Sequence, residues 1–338
     1  MEKVQNENVV QNKQDIQLEV RNLSIEFRTF DGVVKAVNNM HFKVPRGKTI
    51  GLVGETGAGK TTTAMAILGL VPSPPGVITS GEILFEGKDI NKMSKQELRK
   101  IRGSEISMIF QNPMTALNPV YTVGKQISDV LREHENISRA EAVKRAGDML
   151  EFVGIRRERM KNYPHEFSGG MKQRVCIAMG LACNPKLLIA DEPTTALDVT
   201  IQAQILDLMR NLKEKYNTST IFITHALGVV AEIADYVMVT YAGSIVEQGS
   251  LKEIFTNAKH PYTIGLFKCL PDIESEESER LSIIRGSMPD PLNLPKGCKF
   301  CQRCDHAMRI CSLEEPPEVQ ISEDHVVQCH LYGRRSDQ

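Results

Sequence analysis

The chain has 338 residues, of which 41% are hydrophobic and 25% are charged, and its formal net charge is -1. This composition is typical of a folded protein with one large core and a smaller appended unit, so we expect two domains. A net charge so close to zero gives no support for binding to nucleic acid or to a bare anionic membrane surface.

The N-terminal segment shows no targeting pattern. Residues 1–15 are polar and lack the apolar centre of a signal peptide. No stretch of the chain approaches the roughly 18 apolar residues that a membrane-spanning helix needs. We therefore expect the chain to remain in the compartment where it is made.

The first structured region is predicted to be antiparallel. Between Leu18 and Val44 the segments LEVRNLSIEF and AVNNMHFKV alternate between apolar and polar residues, with a turn at Asp31-Gly32. The period then changes, because KTIGLVG is a short apolar strand that leads into a glycine-rich loop. The next segment, TTAMAILGL, continues as a helix that PSPPG ends.

The glycine-rich loop matches the phosphate-binding pattern of nucleotide-binding proteins. Its residues are Gly54, Glu55, Thr56, Gly57, Ala58, Gly59, Lys60 and Thr61, followed by Thr62. Glycines allow backbone amides to turn towards phosphates, and the following helix adds the positive end of its dipole. Lys60 is predicted to reach the β- and γ-phosphates, and Thr61 to offer a hydroxyl to Mg²⁺. A chance glycine-rich turn is the alternative, but the strand, loop and helix in this order favour nucleotide binding.

The middle of the chain is predicted to be helical. Ser94 with Glu97 and Ser138 with Glu141 both fit the capping box that begins a helix, and the second helix should end at Gly154. Strand signals are few between residues 112 and 165. We therefore expect an inserted helical subdomain over about residues 112–170.

A second strand carries two carboxylates. The apolar residues of KLLIADE predict a buried strand that delivers Asp191 and Glu192 to the carboxyl edge of a sheet. Asp191 would hold Mg²⁺ through its water shell, and Glu192 would orient and polarise an attacking water. The strands and helices that follow predict a parallel sheet covered by helices, closed by a hairpin over YVMVTYAGSIVEQG.

Taken in order, these motifs resemble those of ABC-type ATPases. The matching residues are the phosphate loop, Gln111, Ser168-Gly169-Gly170, Asp191-Glu192, Asp198 and His225. The resemblance implies an α/β fold: a P-loop NTPase of ABC type with an antiparallel β subdomain, an inserted helical subdomain and a small cysteine-rich C-terminal domain. We place the ATPase domain at residues 16–259 and the C-terminal domain at 260–338, with the charged segment 274–280 as a linker.

The resemblance also implies roles for these residues. Gln111 would contact Mg²⁺ and the attacking water, and His225 would contact the γ-phosphate. Asp198 would lie in a loop that crosses to a partner subunit. Ser168 is a predicted N-cap, and the helix that begins at Gly169-Gly170 would bind the γ-phosphate of ATP held by that partner.

Two positions depart from the family pattern. Met171 stands where a glutamine is more common, and Ala226 follows the histidine where an aspartate is frequent, which removes a charge near a helix start.

An aromatic residue before the phosphate loop usually stacks on adenine in this family. Phe30 is the candidate, with Phe27 next to consider, and packing in a core is the alternative for either ring.

A closer resemblance is to the ATP-binding subunits of bacterial dipeptide and oligopeptide importers. The segments that carry it are GVVKAVNNMHF, YPHEFSGGMKQRV, HPYTIGLF and the cysteines of the tail. It implies an ATPase on the cytoplasmic face of the membrane with a second ATPase subunit, as a heterodimer, two permease subunits and, indirectly, an extracytoplasmic solute-binding protein. A nickel or other small-solute importer, an exporter ATPase and a soluble non-transport ABC ATPase are the alternatives.

Five of the eight cysteines crowd the tail, and thiolates so placed can converge on one metal centre. The closer resemblance implies a [4Fe-4S] cluster held by Cys298, Cys304, Cys311 and Cys329. Cys301 creates a second, ferredoxin-like spacing, so the choice of ligands stays open. Zinc and a metal-free lobe of reduced cysteines are the alternatives. Cys176 and Cys183, two helical turns apart, are predicted only to pack.

Overall fold

The computed structural model describes residues 16–194, 198–269 and 283–333. The predicted linker at 274–280 lies outside these residues. The strands, β1 to β12 in chain order, are Ile16–Thr29, Gly32–Pro45, Thr49–Val53, Gly76–Phe85, Lys88–Asp89, Ile106–Ile109, Leu187–Asp191, Ser219–Thr224, Tyr236–Tyr241, Ser244–Ser250, Glu318–Ser322 and His325–Gln328. The α-helices, α1 to α10, are Lys60–Ile67, Lys95–Ile101, Pro113–Ala116, Val123–His134, Arg139–Phe152, Gly169–Leu181, Val199–Tyr216, Leu227–Ile233, Leu251–Asn257 and Pro261–Lys268.

The smaller sheet is antiparallel and has the strand order β2-β1-β4-β5. In β1 the residues Leu18, Val20, Leu23 and Ile25 are all buried, whereas polar neighbours between them reach solvent. Such alternation is what a sheet with one covered face requires. The predicted first hairpin is confirmed, with Thr29 paired to Gly32 across the turn.

The larger sheet has eight strands in the order β11-β12-β10-β9-β3-β8-β7-β6. The five strands from β9 to β6 are parallel, and β3, β7 and β8 are buried at every position. Strands that are covered on both faces are near-continuous apolar runs, so these short segments do not alternate regularly between apolar and polar residues. The predicted parallel sheet and the β9-β10 hairpin are confirmed.

The tail contributes to this same sheet. Its hairpin, β11 and β12, pairs with β10 through Glu247 opposite Val327 and Gly249 opposite His325. Glu247 is completely buried there, and its carboxylate accepts hydrogen bonds from the backbone N–H groups of Lys259 and His260. The expected domain boundary between residues 259 and 260 stays a prediction.

The segment between β6 and β7 consists of helices and short 3₁₀ turns. Thr122 and Ser138 cap α4 and α5 by accepting hydrogen bonds from Lys125 N and Glu141 N. Helix α5 ends at Phe152, just before Gly154, whose φ is +76°, as the sequence predicted. The predicted capping box of Ser94 and Glu97 at α2 is present in both directions.

Three clusters of buried side chains hold the layers together. One joins helices α4 to α7 to the sheet, and a second fills the space between the two sheets and α1. The third joins the end of β3 to β9, α8, α10 and Phe300 of the tail. In the described part of the chain, no helix is both long and apolar enough to span a membrane.

We expect the helical segment to depend on the buried face of α6. Val175 is fully buried, whereas Val143 on α5 is 44% exposed. Val175→Ala should lower the free energy of unfolding by about 2 kcal/mol, because it removes buried methyl groups and leaves a cavity. Val143→Ala, the matched control, should change it by less than about 0.5 kcal/mol. Denaturant unfolding of both variants measures this, and equal effects would contradict the assigned packing.

Candidate nucleotide site

A cleft lies where β3, β7 and β8 end on the same edge of the large sheet. Parallel strands bring their carboxyl ends to one edge, which is where open α/β sheets bind ligands. The cleft has a volume of about 240 Å³. It is lined by Ala36, Thr56, Gly57, Ala58, Gly59, Lys60, Thr61, Thr62, Gln111, Glu192 and His225. The structure thus brings together residues predicted from four separate segments of the chain.

The phosphate loop takes a path that only glycine permits at two positions. Gly54 has φ +155°, and a Cβ there would lie 2.2 Å from the carbonyl oxygen of Thr240. Gly59 has φ +86° at the start of α1, and a Cβ there would lie 2.4 Å from the carbonyl oxygen of Ala36. The loop is therefore wedged between β2 and β9, which fixes its backbone against the sheet.

Lys60 is held inside this loop. Lys60 is only 6% exposed. Its ammonium group donates to the carbonyl oxygens of Gly54 at 2.7 Å and Glu55 at 2.9 Å. Burial lowers the pKa of Lys60, while the nearby carboxylates of Glu192 and Asp191 act in the opposite direction. The arrangement places a positive charge in a partly desolvated position, where it attracts phosphate strongly.

A hydroxyl and a carboxylate meet beside the loop. Thr61 Oγ1 donates to Asp191 Oδ2 at 2.8 Å. Asp191 is almost fully buried at the end of β7, and burial raises its pKa. Oxygen ligands of this kind, completed by substrate phosphates and water, suit Mg²⁺. Thr61 and Asp191 therefore fit the predicted magnesium site, and Gln111, the third predicted ligand, lines the same cleft as Thr61.

Three predicted residues meet at one carboxylate. Gln111 Nε2 donates to Glu192 Oε2 at 2.7 Å, and His225 Nδ1 lies 3.1 Å from Glu192 Oε1. Glu192 has φ +46°, an unusual value for a residue with a side chain, and its N–H donates to the carbonyl oxygen of Ile223 at 2.9 Å. Uncommon backbone conformations of this kind concentrate at functional sites.

Ser168-Gly169-Gly170 and Asp198 lie outside the cleft lining. Ser168 and Asp198 are exposed N-caps, accepting from the N–H groups of Met171 at 3.4 Å and Ile201 at 2.8 Å. Gly169 is also exposed, and a Cβ at Gly170 would lie 2.9 Å from Ile201. The N-termini of α6 and α7 are therefore neighbours on one exposed face.

The remaining predicted residues do not line the cleft. Phe30 is fully exposed at the β1-β2 turn and does not line the cleft, whereas Phe27 packs with the buried cluster between the sheets. The adenine contact stays a prediction. Ala226 begins α8 without a side-chain cap, and its N–H instead donates to Thr224 Oγ1 at 3.0 Å.

Two residues that bond to the phosphate loop from outside the cleft were not predicted as site residues. Arg303 Nη1 lies 3.0 Å from both carboxylate oxygens of Glu55, and the hydroxyl of Tyr262 accepts the backbone N–H of Glu55 at 3.0 Å. These partners are 248 and 207 residues away from Glu55 in the chain. Tyr262 belongs to the segment HPYTIGLF, which indicated only the family, and Arg303 has no motif of its own, so only the fold reveals their contacts with Glu55.

The tail cysteines are close to one another without forming a metal centre. Cys298 N–H donates to the carbonyl oxygen of Cys311 at 2.7 Å. Burial raises the pKa of the Cys298 thiol to about 12, and Cys301, Cys311 and Cys329 add to this shift. Across the described ranges, no three His, Cys, Asp or Glu side chains are arranged to hold a metal ion. In this arrangement the side chains of Cys298, Cys304, Cys311 and Cys329 do not converge as the cluster implied by the resemblance requires.

Two cysteines of α6 and its C-terminal turn behave as packing residues. Cys176 is buried and Cys183 is partly buried, and burial raises their pKa values to about 12 and about 11. Thiols with such pKa values are poor nucleophiles at neutral pH.

Comparison with known families gives two matches. Residues 37–195 match the family described as "ABC transporter", and residues 246–311 match "Oligopeptide/dipeptide transporter, C-terminal region". Similar curated proteins include the oligopeptide transport ATP-binding protein OppD of Bacillus subtilis, 55% identical over 93% of this chain and 88% of that protein. Another is the dipeptide transport ATP-binding protein DppD of the same organism, 48% identical over 95% and 96%. Escherichia coli OppD is 50% identical over 92% of each chain.

Solved structures share the fold of the larger part of the chain. The dimeric ATP-binding cassette MJ0796 bound to ADP and Pi has a TM-score of 0.63 at 26% identity, over 69% of this chain and 98% of that one. Clostridium perfringens cbiO1, part of the ABC transporter complex cbiONQ, has a TM-score of 0.62 at 29% identity, over 75% and 95%.

We expect Asp198 to stabilise the subunit as a helix cap, apart from any contact with a partner. Asp198→Ala should lower the free energy of unfolding of the isolated chain by about 1 kcal/mol, because Ile201 N–H loses its acceptor. Asp198→Asn keeps an acceptor oxygen and should leave stability nearly unchanged. Chemical unfolding measures both, and an Ala variant as stable as the Asn variant would contradict the cap.

Proposed function

The chain belongs to the ABC transporter family of ATP-binding proteins, and from this premise we propose that it hydrolyses ATP to drive import of oligopeptides or dipeptides through a membrane transporter. Its relatives over more than nine-tenths of the sequence are oligopeptide and dipeptide transport ATP-binding proteins. The match of residues 246–311 to a peptide-transporter C-terminal region supports the same substrate class. The observation that carries the ATPase activity is the meeting of Gln111, Glu192 and His225 beside the phosphate loop.

Nucleotide binding rests on the loop and the start of α1. The backbone amides between Gly54 and Lys60 and the dipole of α1 favour phosphate oxygens. The ammonium group of Lys60, now bonded to two carbonyl oxygens, is in reach of the β- and γ-phosphates. Mg²⁺ held by Thr61, Asp191 and Gln111 would neutralise phosphate charge during transfer.

Hydrolysis rests on the carboxylate of Glu192. Its Oε1 and Oε2 are oriented by His225 and Gln111, so one oxygen can accept a hydrogen bond from an attacking water and polarise it. The imidazole of His225 would then contact the γ-phosphate. The contact of these groups within one subunit supports a joint role in aligning the water.

A second ATPase subunit would complete the site. Ser168, Gly169 and Asp198 are exposed on one face outside the cleft, which supports a role in binding the γ-phosphate held by a partner. MJ0796, a structural relative, is dimeric with ADP and Pi bound. We propose a heterodimer with a second ABC ATPase, in which ATP between the two faces closes the pair.

The partners in the membrane are proposed from the family. The helices of residues 112–170 lie between β6, which ends two residues before Gln111, and β7, which ends at Asp191. This position suits a subdomain that passes motion from the cleft to two permease subunits. The chain would sit peripherally on the cytoplasmic face, with a solute-binding protein acting on the far side.

A [4Fe-4S] cluster in the tail is proposed from the family resemblance. The closeness of the five cysteines supports it, whereas the arrangement of their side chains, of which no three converge as metal ligands within the described residues, does not. Zinc and a metal-free lobe stay as alternatives. No step of ATP hydrolysis depends on this choice.

We predict that Glu192→Gln binds ATP with near-normal affinity but hydrolyses it orders of magnitude more slowly, because the amide cannot polarise the water. Phosphate release by the transporter reconstituted with its partners measures turnover, and nucleotide titration of the chain measures affinity. Glu214→Gln, at an exposed glutamate of α7, is the matched control and should be fully active. Normal turnover of Glu192→Gln would overturn the role assigned to this carboxylate.

If the tail holds the proposed cluster, anaerobically purified protein should contain iron and acid-labile sulfide in equal amounts. Cys304→Ser should lose both, because a thiolate ligand is removed, whereas Cys176→Ser, which changes a packed thiol elsewhere, should keep both. Metal and sulfide analysis with visible absorbance is the measurement. Stoichiometric zinc without visible absorbance would contradict the cluster.

A further inference from the structure

One residue of the phosphate loop is bonded through all of its polar groups. The carboxylate of Glu55 pairs with Arg303, and its N–H donates to the hydroxyl of Tyr262. Its carbonyl oxygen accepts from the ammonium group of Lys60 at 2.9 Å and from Ala58 N–H at 3.2 Å. Glu55 is therefore the point at which groups from the C-terminal part of the chain reach the phosphate loop.

Arg303 is buried more deeply than a surface ion pair would be. Its side chain is only 7% exposed, compared with 31% for Glu55. Besides Glu55, it donates to the carbonyl oxygen of Arg285 at 2.9 Å and to the hydroxyl of Tyr241 at 3.2 Å. A guanidinium with this many fixed acceptors loses little freedom on binding a carboxylate, so the pair is worth more than an exposed one.

Other residues of the C-terminal part lie against the same loop. Tyr262 of α10 is completely buried and packs against Tyr241 and Phe300, with ring centroids 4.7 and 5.4 Å away. A Cβ built on Gly57 would lie 2.8 Å from Met288 Cε. Residues from three segments after the ATPase core thus pack on the outer side of the phosphate loop.

These contacts lead from the C-terminal part of the chain to the ammonium group of Lys60. Arg303 and Tyr262 fix the side chain and N–H of Glu55, and the carbonyl of Glu55 in turn accepts from Lys60. A change in Arg303 would therefore act on the residue whose carbonyl oxygen bonds to that ammonium group. Arg303 lies directly before Cys304, one of the tail cysteines.

We propose that Arg303 and Tyr262 are positioning residues of the ATP site: they hold Glu55, and through it Lys60, so that the C-terminal part of the chain sets the affinity of the phosphate loop for ATP. The inference rests on the proposed ATPase function and extends it. It predicts that nucleotide affinity changes with contacts made far from the phosphates. It assigns neither residue a direct contact with ATP.

The test uses purified full-length chain and titration with a fluorescent ATP analogue in the presence of Mg²⁺. Arg303→Met should weaken binding about tenfold, the size expected for losing a hydrogen-bonded charge pair of about 1.4 kcal/mol. Arg303→Lys should recover part of the affinity. Tyr262→Phe removes one oxygen only and should weaken binding several-fold. Arg309→Met, at an exposed arginine of the same tail, is the matched control and should bind as the unaltered chain does.

A double-mutant cycle separates positioning from simple support of the fold. If Arg303 acts through Glu55, Arg303→Met should cost no further affinity in a Glu55→Gln background. Unfolding midpoints are measured alongside, because a purely structural role would lower the midpoint but leave the affinity of the folded protein unchanged. Should Arg303→Met fail to fold, Tyr262→Phe and Glu55→Gln decide the question.

The outcomes are distinct. Affinities of Arg303→Met, Tyr262→Phe and Glu55→Gln equal to that of the unaltered chain would overturn the positioning role while leaving the ATPase function in place. Absence of ATP binding by the unaltered chain would instead overturn the proposed function. Weakened, non-additive binding in folded variants would support the proposal.

Discussion

The site depends on the parallel pairing of β3 with β8 and of β8 with β7. These pairings bring the phosphate loop, His225 and the Asp191-Glu192 pair to one edge of the sheet, although they are far apart in the chain. Every residue of the three strands is buried, so the edge is fixed by apolar packing on both faces. Glu192 can hold an uncommon backbone conformation there because its N–H is bonded to β8.

The cleft and the exposed helix N-termini lie at different places on the chain. The cleft holds the loop and the groups suited to hydrolysis, while the N-termini of α6 and α7 stand exposed beside each other. Helix N-termini favour anions, so an exposed pair of them suits a phosphate brought by another subunit. In the proposed function, a single chain would contain two unlike halves of an ATP site, and closure of two chains would supply the mechanical step.

Much of this could be predicted from the sequence, for identifiable physical reasons. The glycines of the loop, the N-caps Ser168 and Ser138 and the apolar run before Asp191 are local signals, and the structure places each in the expected element. The addition of β11 and β12 to the large sheet and the contact of Arg303 with Glu55 could not be predicted. They depend on pairing between distant segments, and short tail strands have no periodicity strong enough to show their partners. The cysteine spacing suggested a metal centre, but spacing along a chain does not determine whether side chains converge.

Peptide uptake tests the central claim most directly. The chain would be reconstituted with its co-purified permease and ATPase partners in vesicles that have ATP on the side of the ATPase subunits. The account predicts uptake of a labelled oligopeptide that requires ATP and is abolished when Lys60→Met replaces the unaltered chain. ATP-driven uptake of a metal ion with no uptake of peptide, or peptide uptake that persists with Lys60→Met, would contradict it.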